Sequence, residues 1–128
     1  MIMGETIYNL AFDFGASSGR MILGKFQDGK IELEEIHRFS NDPVRVGKCF
    51  YWDTFGLYHE LKQGLKKAAA RKLPISSLAI DTWGVDYALI DKDGNVIGNP
   101  INYRDDRTIG AIDEVGKLVP LDELYAST

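Results

Sequence analysis

Hydrophobic and polar positions alternate with enough regularity to lay out most of the chain. An apolar run, Thr6 to Phe14, richest at Leu10 to Phe12, closes on Asp13 and Gly15, the pattern of a buried strand stopped by a turn. Gly15 to Gly19 form a glycine- and serine-rich turn into Met21, Ile22, Leu23 and Phe26, and Asp28-Gly29 returns the chain through Ile31 to Phe39. This predicts a three-strand antiparallel meander. The third strand shifts phase at Glu34 and Glu35, between Leu33 and Ile36, which predicts a bulge on an edge strand. Ser40 to Tyr51 is expected to be a loop.

Asp53 stands where it can cap a helix with the apolar stripe Tyr58, Leu61, Leu65 and Ala68. Lys66, Lys67, Arg71 and Lys72 complement the negative end of its dipole as a solvated basic face, and Pro74 ends it. Leu78 to Ile80 is a second buried run, again ending in an aspartate, Asp81. Strand-helix-strand order makes it parallel to an earlier strand. Val85 to Ile90 is expected to pair back through Asp91 to Asn95. That segment has calcium-loop spacing but carries Val96 and Asn102 where glycine and glutamate are required, so it is a turn. Asp106 or Thr108 opens a shorter helix with Ile109, Ile112 and Val115, and Pro120 begins another with Leu121 and Leu124 that stops at Thr128 in mid-pattern.

Composition narrows the class. The 128 residues are 45% hydrophobic and 27% charged, the balance of one globular domain. A net charge of −4 argues against a nucleic-acid partner. No apolar stretch reaches transmembrane length and Met1 to Glu5 is no secretory signal, so the expected address is cytoplasmic, with no membrane partner. A lone cysteine, Cys49, excludes an internal disulfide and is expected to be a small hydrophobe. His37 and His59 stand apart without ligand spacing and are expected to be ordinary surface or packed histidines.

Three segments carry candidate chemistry. Asp13 to Arg20 places a carboxylate at a strand end before a turn of glycines and hydroxyls. Such a turn can offer backbone N–H groups to phosphate, with Arg20 adding charge and the carboxylate able to hold hydrated magnesium. It is not a Walker loop, since Arg20 and Met21 follow Gly19. A plain hairpin turn accounts for it equally well. Ala79 to Asp86 delivers two carboxylates, Trp83 and Gly84 into one tight connection, a set suited to a polyol or, alternatively, to a core tryptophan between turn-forming aspartates. Asn102 to Thr108 interleaves two arginines with two aspartates beside Tyr103, either as ligand groups or as a surface ion-pair network.

Taken in order, Asp13-Phe14-Gly15-Ala16-Ser17-Ser18-Gly19-Arg20, Glu35-Ile36-His37-Arg38-Phe39, Trp52-Asp53, Ile80-Asp81-Thr82-Trp83-Gly84-Val85-Asp86 and Tyr103-Arg104-Asp105-Asp106-Arg107-Thr108 resemble the FGGY-type carbohydrate kinases, most closely the branch acting on L-rhamnulose. The resemblance runs from about Leu10 to the last residue, Thr128. It implies an α/β fold of the actin-like, ribonuclease-H-like ATPase class, with a mixed sheet in which the meander is followed by a helix and a parallel strand. It also implies transfer of the ATP γ-phosphate to the 1-hydroxyl of L-rhamnulose, with Mg2+ as the metal. By the same resemblance Asp13 lies near metal and phosphates, and Ala16, Ser17, Ser18, Gly19 and Arg20 form the phosphate loop. Gly84 falls on a sugar contact, and Trp83, Asp86, Tyr103 and Arg104 fall in the sugar-facing region.

In that family the general base and the adenine pocket lie in the second half of a much longer chain. No catalytic residue is therefore expected within this sequence, and the general base is expected beyond Thr128. These residues are expected to be the amino-terminal part of the first kinase domain, truncated, inactive alone and open to self-association through exposed apolar surface. The competing readings are a kinase of another ketose or deoxy-sugar such as L-fuculose, a non-catalytic sugar-binding module, and a two-metal nuclease using Asp13 and Asp81.

Overall fold

The computed structural model describes residues 5–127. Thr128, where the resemblance ends and beyond which the general base is expected, lies outside the described residues, as do the first four residues of the segment read as no secretory signal. The described residues fall into two units. One holds those up to Asp42 together with Asp53–Val85, and the other holds Pro43–Trp52 and those from Asp86 onward. In the first unit β1 (Ile7–Phe14), β2 (Ser18–Gln27) and β3 (Lys30–Ser40) form the expected antiparallel meander. After α1 (Thr54–Ala70), β6 (Ile75–Thr82) pairs parallel to β1, giving the order β3-β2-β1-β6. Asp28 and Gly29 both take positive φ, 52° and 74°, the backbone of a two-residue turn whose twist suits the strands it joins. The predicted bulge is present on the edge strand: Met21 pairs with His37 and Ile22 with Glu35, leaving Ile36 as the extra residue.

Alternation along β1 sends Leu10, Phe12 and Phe14 to the face that α1 covers, where Leu10 and Phe12 join Met21, Leu23 and Ala68 in the core. The helix is capped as predicted, with Asp53 Oδ1 accepting the Gly56 N–H at 2.9 Å. Its buried stripe is rotated from the expected one. Gly64 and Ala68 are buried and Leu61 is half-buried, whereas Tyr58 and Leu65 are exposed, because small residues let the helix approach Met21 and Phe12 closely. His37 is no isolated histidine. It is buried, and since an ammonium only donates, it accepts from Lys67 at Nδ1 (2.9 Å) and donates from Nε2 to Glu60 (2.7 Å), tying β3 to α1.

The Leu78 to Ile80 run is not buried as its composition predicts. It occupies the edge strand, α1 lies over β2 and β3, and Leu78 and Ile80 are 41% and 53% exposed.

In the second unit the expected loop from Ser40 contains a hairpin, β4 (Val44–Val46) and β5 (Cys49–Tyr51). Val85 to Ile90 forms no strand; a single bridge joins Ile90 to Val96. Asp91 closes the intervening turn by accepting from the N–H groups of Asp93 and Asn95 and from the Asn95 amide. A 3-10 turn, Asp106–Thr108, precedes α2 (Ala111–Leu118) and α3 (Leu121–Ser127). Among the described residues no helix is long and apolar enough to cross a membrane.

Candidate functional site

Parallel pairing of β1 with β6 brings two of the chemically suggestive turns to one end of the sheet. Phe14 is in register with Thr82, so the turn after β1 and the turn carrying Trp83 and Gly84 leave neighbouring strands at the same end. One step back, Asp13 pairs with Asp81, Asp13 with Arg20 across β2, and Arg20 with Arg38 across β3. Alternation puts these four charged residues in a single row on the face opposite α1. Arg20 Nε donates to Asp13 Oδ2 at 3.1 Å with both side chains about half exposed. Arg38 grips Glu35 through two hydrogen bonds, which holds the Glu35 carboxyl below its ordinary pKa and raises that of Arg38.

The turn itself is tightly constrained. Gly15 N–H donates to Ser18 O at 3.0 Å, and a Cβ on Gly15 would stand 2.7 Å from that same oxygen, so the backbone approach requires glycine. Asn41, just past β3 and buried, donates its side-chain amide to Gly15 O (2.8 Å) and its backbone N–H to Ser17 O (3.0 Å). Ser17, Ser18 and Arg20 are exposed and Ala16 is half-buried. Gly19 differs: it is buried, and a Cβ there would come within 2.1 Å of the Phe39 ring. Its lack of a side chain serves ring packing.

Gly84 is exposed, and a Cβ there would meet nothing within 4 Å. Neither packing nor a left-handed backbone calls for glycine at this position, and the space over it is open. Trp83 is half-buried in the same unit.

Asp86, Tyr103 and Arg104 belong to the second unit and converge on Trp52. The Trp52 indole N–H donates to Asp86 Oδ2 at 2.6 Å, its ring lies 6.2 Å from that of Tyr103, and the Arg104 guanidinium sits 5.1 Å from the Tyr103 ring. Asp105, in the same segment, is buried. Its carboxylate accepts from the Arg107 and Phe50 N–H groups, and those bonds hold its pKa below the usual carboxylate range.

The contacts made by Asn41, and by Trp52 of the Trp52-Asp53 pair, are not legible in the sequence. Asn41 lies in a Ser-Asn-Asp-Pro stretch whose composition signals only a turn, and the role of Trp52 as an indole donor depends on a contact 34 residues away. A hollow of about 290 Å3 at the start of α1 is lined by Asn41, Asp42, Asp53, His59 and Glu60 among others, and by none of the residues named for phosphate or sugar. Among the described residues no group of three or more histidines, cysteines or acids is arranged to hold a metal.

The chain is 48% identical to a rhamnulokinase from Bacteroides thetaiotaomicron over 118 residues, covering 92% of this chain and 24% of that one. It is 42% identical to a rhamnulokinase from Oceanobacillus iheyensis over 120 residues, 94% of this chain and 26% of that one. The chain thus spans about a quarter of the length of the curated relatives it matches. No family model matches. Among solved structures, gluconate kinase from Lactobacillus acidophilus aligns at a TM-score of 0.75 over 95% of this chain and 25% of its own, at 11% identity. A ligand-bound xylulose kinase from the same organism aligns at 0.74 over 93% and 24%. These likenesses bear out the mixed α/β, actin-like fold expected from the sequence. Along more than nine-tenths of its length the chain is homologous to one part of the rhamnulokinases, and its fold is that of the sugar kinases with which it aligns.

Proposed function

We propose that this chain supplies the phosphate-gripping and part of the sugar-gripping surface of an ATP-dependent kinase that phosphorylates L-rhamnulose on its 1-hydroxyl. The observation that carries the reading is 40–48% identity to rhamnulokinases along more than nine-tenths of the chain. The register joining the Asp13 turn to the Gly84 turn supports it.

Ala16, Ser17 and Ser18 present the amides and hydroxyls, and Arg20 the positive charge, that suit nucleotide phosphates. Gly19 contributes through Phe39, by shaping the turn. Asp13, half exposed at a strand end, suits one carboxylate contact to a hydrated Mg2+, an ion that keeps most of its waters and shares the phosphates. When bound, that ion neutralises charge developing on the transferred phosphoryl group. Gly84 leaves room for a sugar, and Trp83, Asp86, Tyr103 and Arg104 supply apolar faces and hydrogen-bonding groups of the kind a sugar engages.

None of the residues given a role here is the general base, which this reading puts beyond Thr128, so the 128 residues alone are expected to release no ADP. A coupled ADP-release assay on the full gene product tests the proposal. Turnover with ATP and L-rhamnulose supports it. Equal or better turnover with L-fuculose redirects the substrate, and saturable sugar binding without turnover favours a sugar-binding module. Magnesium-dependent cleavage of RNA hybrids would favour a nuclease, against which stands the net charge of −4.

A further inference from the structure

The turn between β1 and β2 has its carbonyls tied to one side. Gly15 O accepts the Asn41 side-chain amide at 2.8 Å, and Ser17 O accepts the Asn41 backbone N–H at 3.0 Å. In a planar trans peptide the carbonyl and the N–H of the next residue point in opposite directions. The Gly15 carbonyl shares its peptide with the Ala16 N–H, and the Ser17 carbonyl shares its peptide with the Ser18 N–H. Drawing both carbonyls toward Asn41 therefore aims both amides away from it. Asn41 is 4% exposed and held within the first unit, and Gly15 N–H is already spent on Ser18 O, so the turn has little freedom to reorient.

We propose that Asn41 is a positioning residue that sets the phosphate loop, keeping the Ala16 and Ser18 amides aligned as a two-donor nest for an anion. The inference rests on the kinase reading for the identity of that anion, the phosphates of ATP. Two aligned amides form an anion-binding concavity at no reorganisation cost when the ligand arrives. Asn41 touches no ligand itself. Its chemistry is that of a donor clamp, and aspartate, the isosteric residue, would set a carboxylate oxygen against the Gly15 carbonyl.

The test is steady-state ADP release by the full gene product carrying Asn41→Asp, with rates expressed per folded molecule. Loss of alignment of one amide to a charged phosphate raises KM for ATP about tenfold while KM for L-rhamnulose stays at the wild-type value. A merely structural role lowers the yield of folded enzyme and moves neither constant. Should Asn41→Asp fail to fold, Asn41→Ser keeps the backbone bond to Ser17, drops the amide that reaches Gly15, and gives the same split. A wild-type KM for ATP in the folded variant overturns the inference and leaves the kinase reading standing. Absence of turnover in the wild-type gene product removes the kinase reading and this inference with it.

Discussion

Replacing Gly19 with alanine separates two roles that one residue of the loop can hold. The added Cβ would lie 2.1 Å from Phe39 Cζ, 2.4 Å from Cε1 and 3.0 Å from Cε2. Carbon atoms rest at about 3.5–4.0 Å, so the ring must retreat by about 1.5 Å. It has nowhere easy to go: its centroid lies 6.0 Å from those of Phe12 and Phe14 and 5.9 Å from that of His37, and Phe12 is wholly buried. Overpacking of this kind costs about 1–3 kcal/mol, and a hemmed aromatic ring belongs toward the upper half, about 2 kcal/mol, or about 8 °C in Tm for a chain of this size. Phe39→Leu removes the ring atoms that the new Cβ meets. A double-mutant cycle followed by far-ultraviolet circular dichroism should then show a favourable coupling of about 1–2 kcal/mol. KM for ATP, read on the full gene product carrying the same substitutions, separates packing from contact: restored in the double variant if Gly19 acts through Phe39, still raised if phosphate needs the bare backbone at Gly19. Gly19→Ala melting within about 1 °C of the wild type, or an equal loss in both backgrounds, would refute the packing account.

Trp52→Phe keeps most of the buried ring but removes the indole N–H from Asp86; the urea midpoint should fall by the equivalent of about 1.5–3 kcal/mol with an unchanged m-value. Asp105 has a depressed carboxyl pKa in the folded chain, so its stabilisation is full above the ordinary carboxyl range, near about 4, and is lost as pH falls through the lower folded value. The Tm difference between wild type and Asp105→Asn should accordingly be constant at neutral pH and shrink in acid, and a difference that grows in acid would show the sign to be wrong. ATP should bind the full gene product far more weakly in EDTA than with Mg2+, as read by calorimetry, because Asp13 and Asp81 stand beside the arginines of the charged row.

What could be read from sequence was set by neighbours in sequence. The meander, the Asp28-Gly29 turn, the bulge and the Asp53 cap each depend on periodicity or turn chemistry within a few residues, and each is present. The errors arise where distant residues decide. Leu78 to Ile80 has the composition of a strand buried on both sides, yet it is an edge strand here, and burial belongs to what lies alongside a strand. Tyr58 and Leu65 fit a helical stripe, but the close approach of α1 to Met21 and Phe12 selects Gly64 and Ala68. The hairpin at Val44–Tyr51 was hidden by short strands that are only partly apolar.

The site follows the same division. Asp13 and the Gly15–Gly19 turn are legible as a strand end and a turn because glycine and hydroxyl residues follow an apolar run. The row in which Asp13 stands is not legible, since Asp81, Asp13, Arg20 and Arg38 come from four strands and only register aligns them. Alternation has a further consequence. A strand that sends Leu10, Phe12 and Phe14 to the helix must send Asn9, Ala11 and Asp13 to the other face. Carboxylates and guanidiniums on that face keep it from being sealed by an apolar layer, since burying charge without partners is costly. The packing that builds the core on one side of β1 therefore keeps the other side polar, at the strand end where the Gly15–Gly19 turn begins.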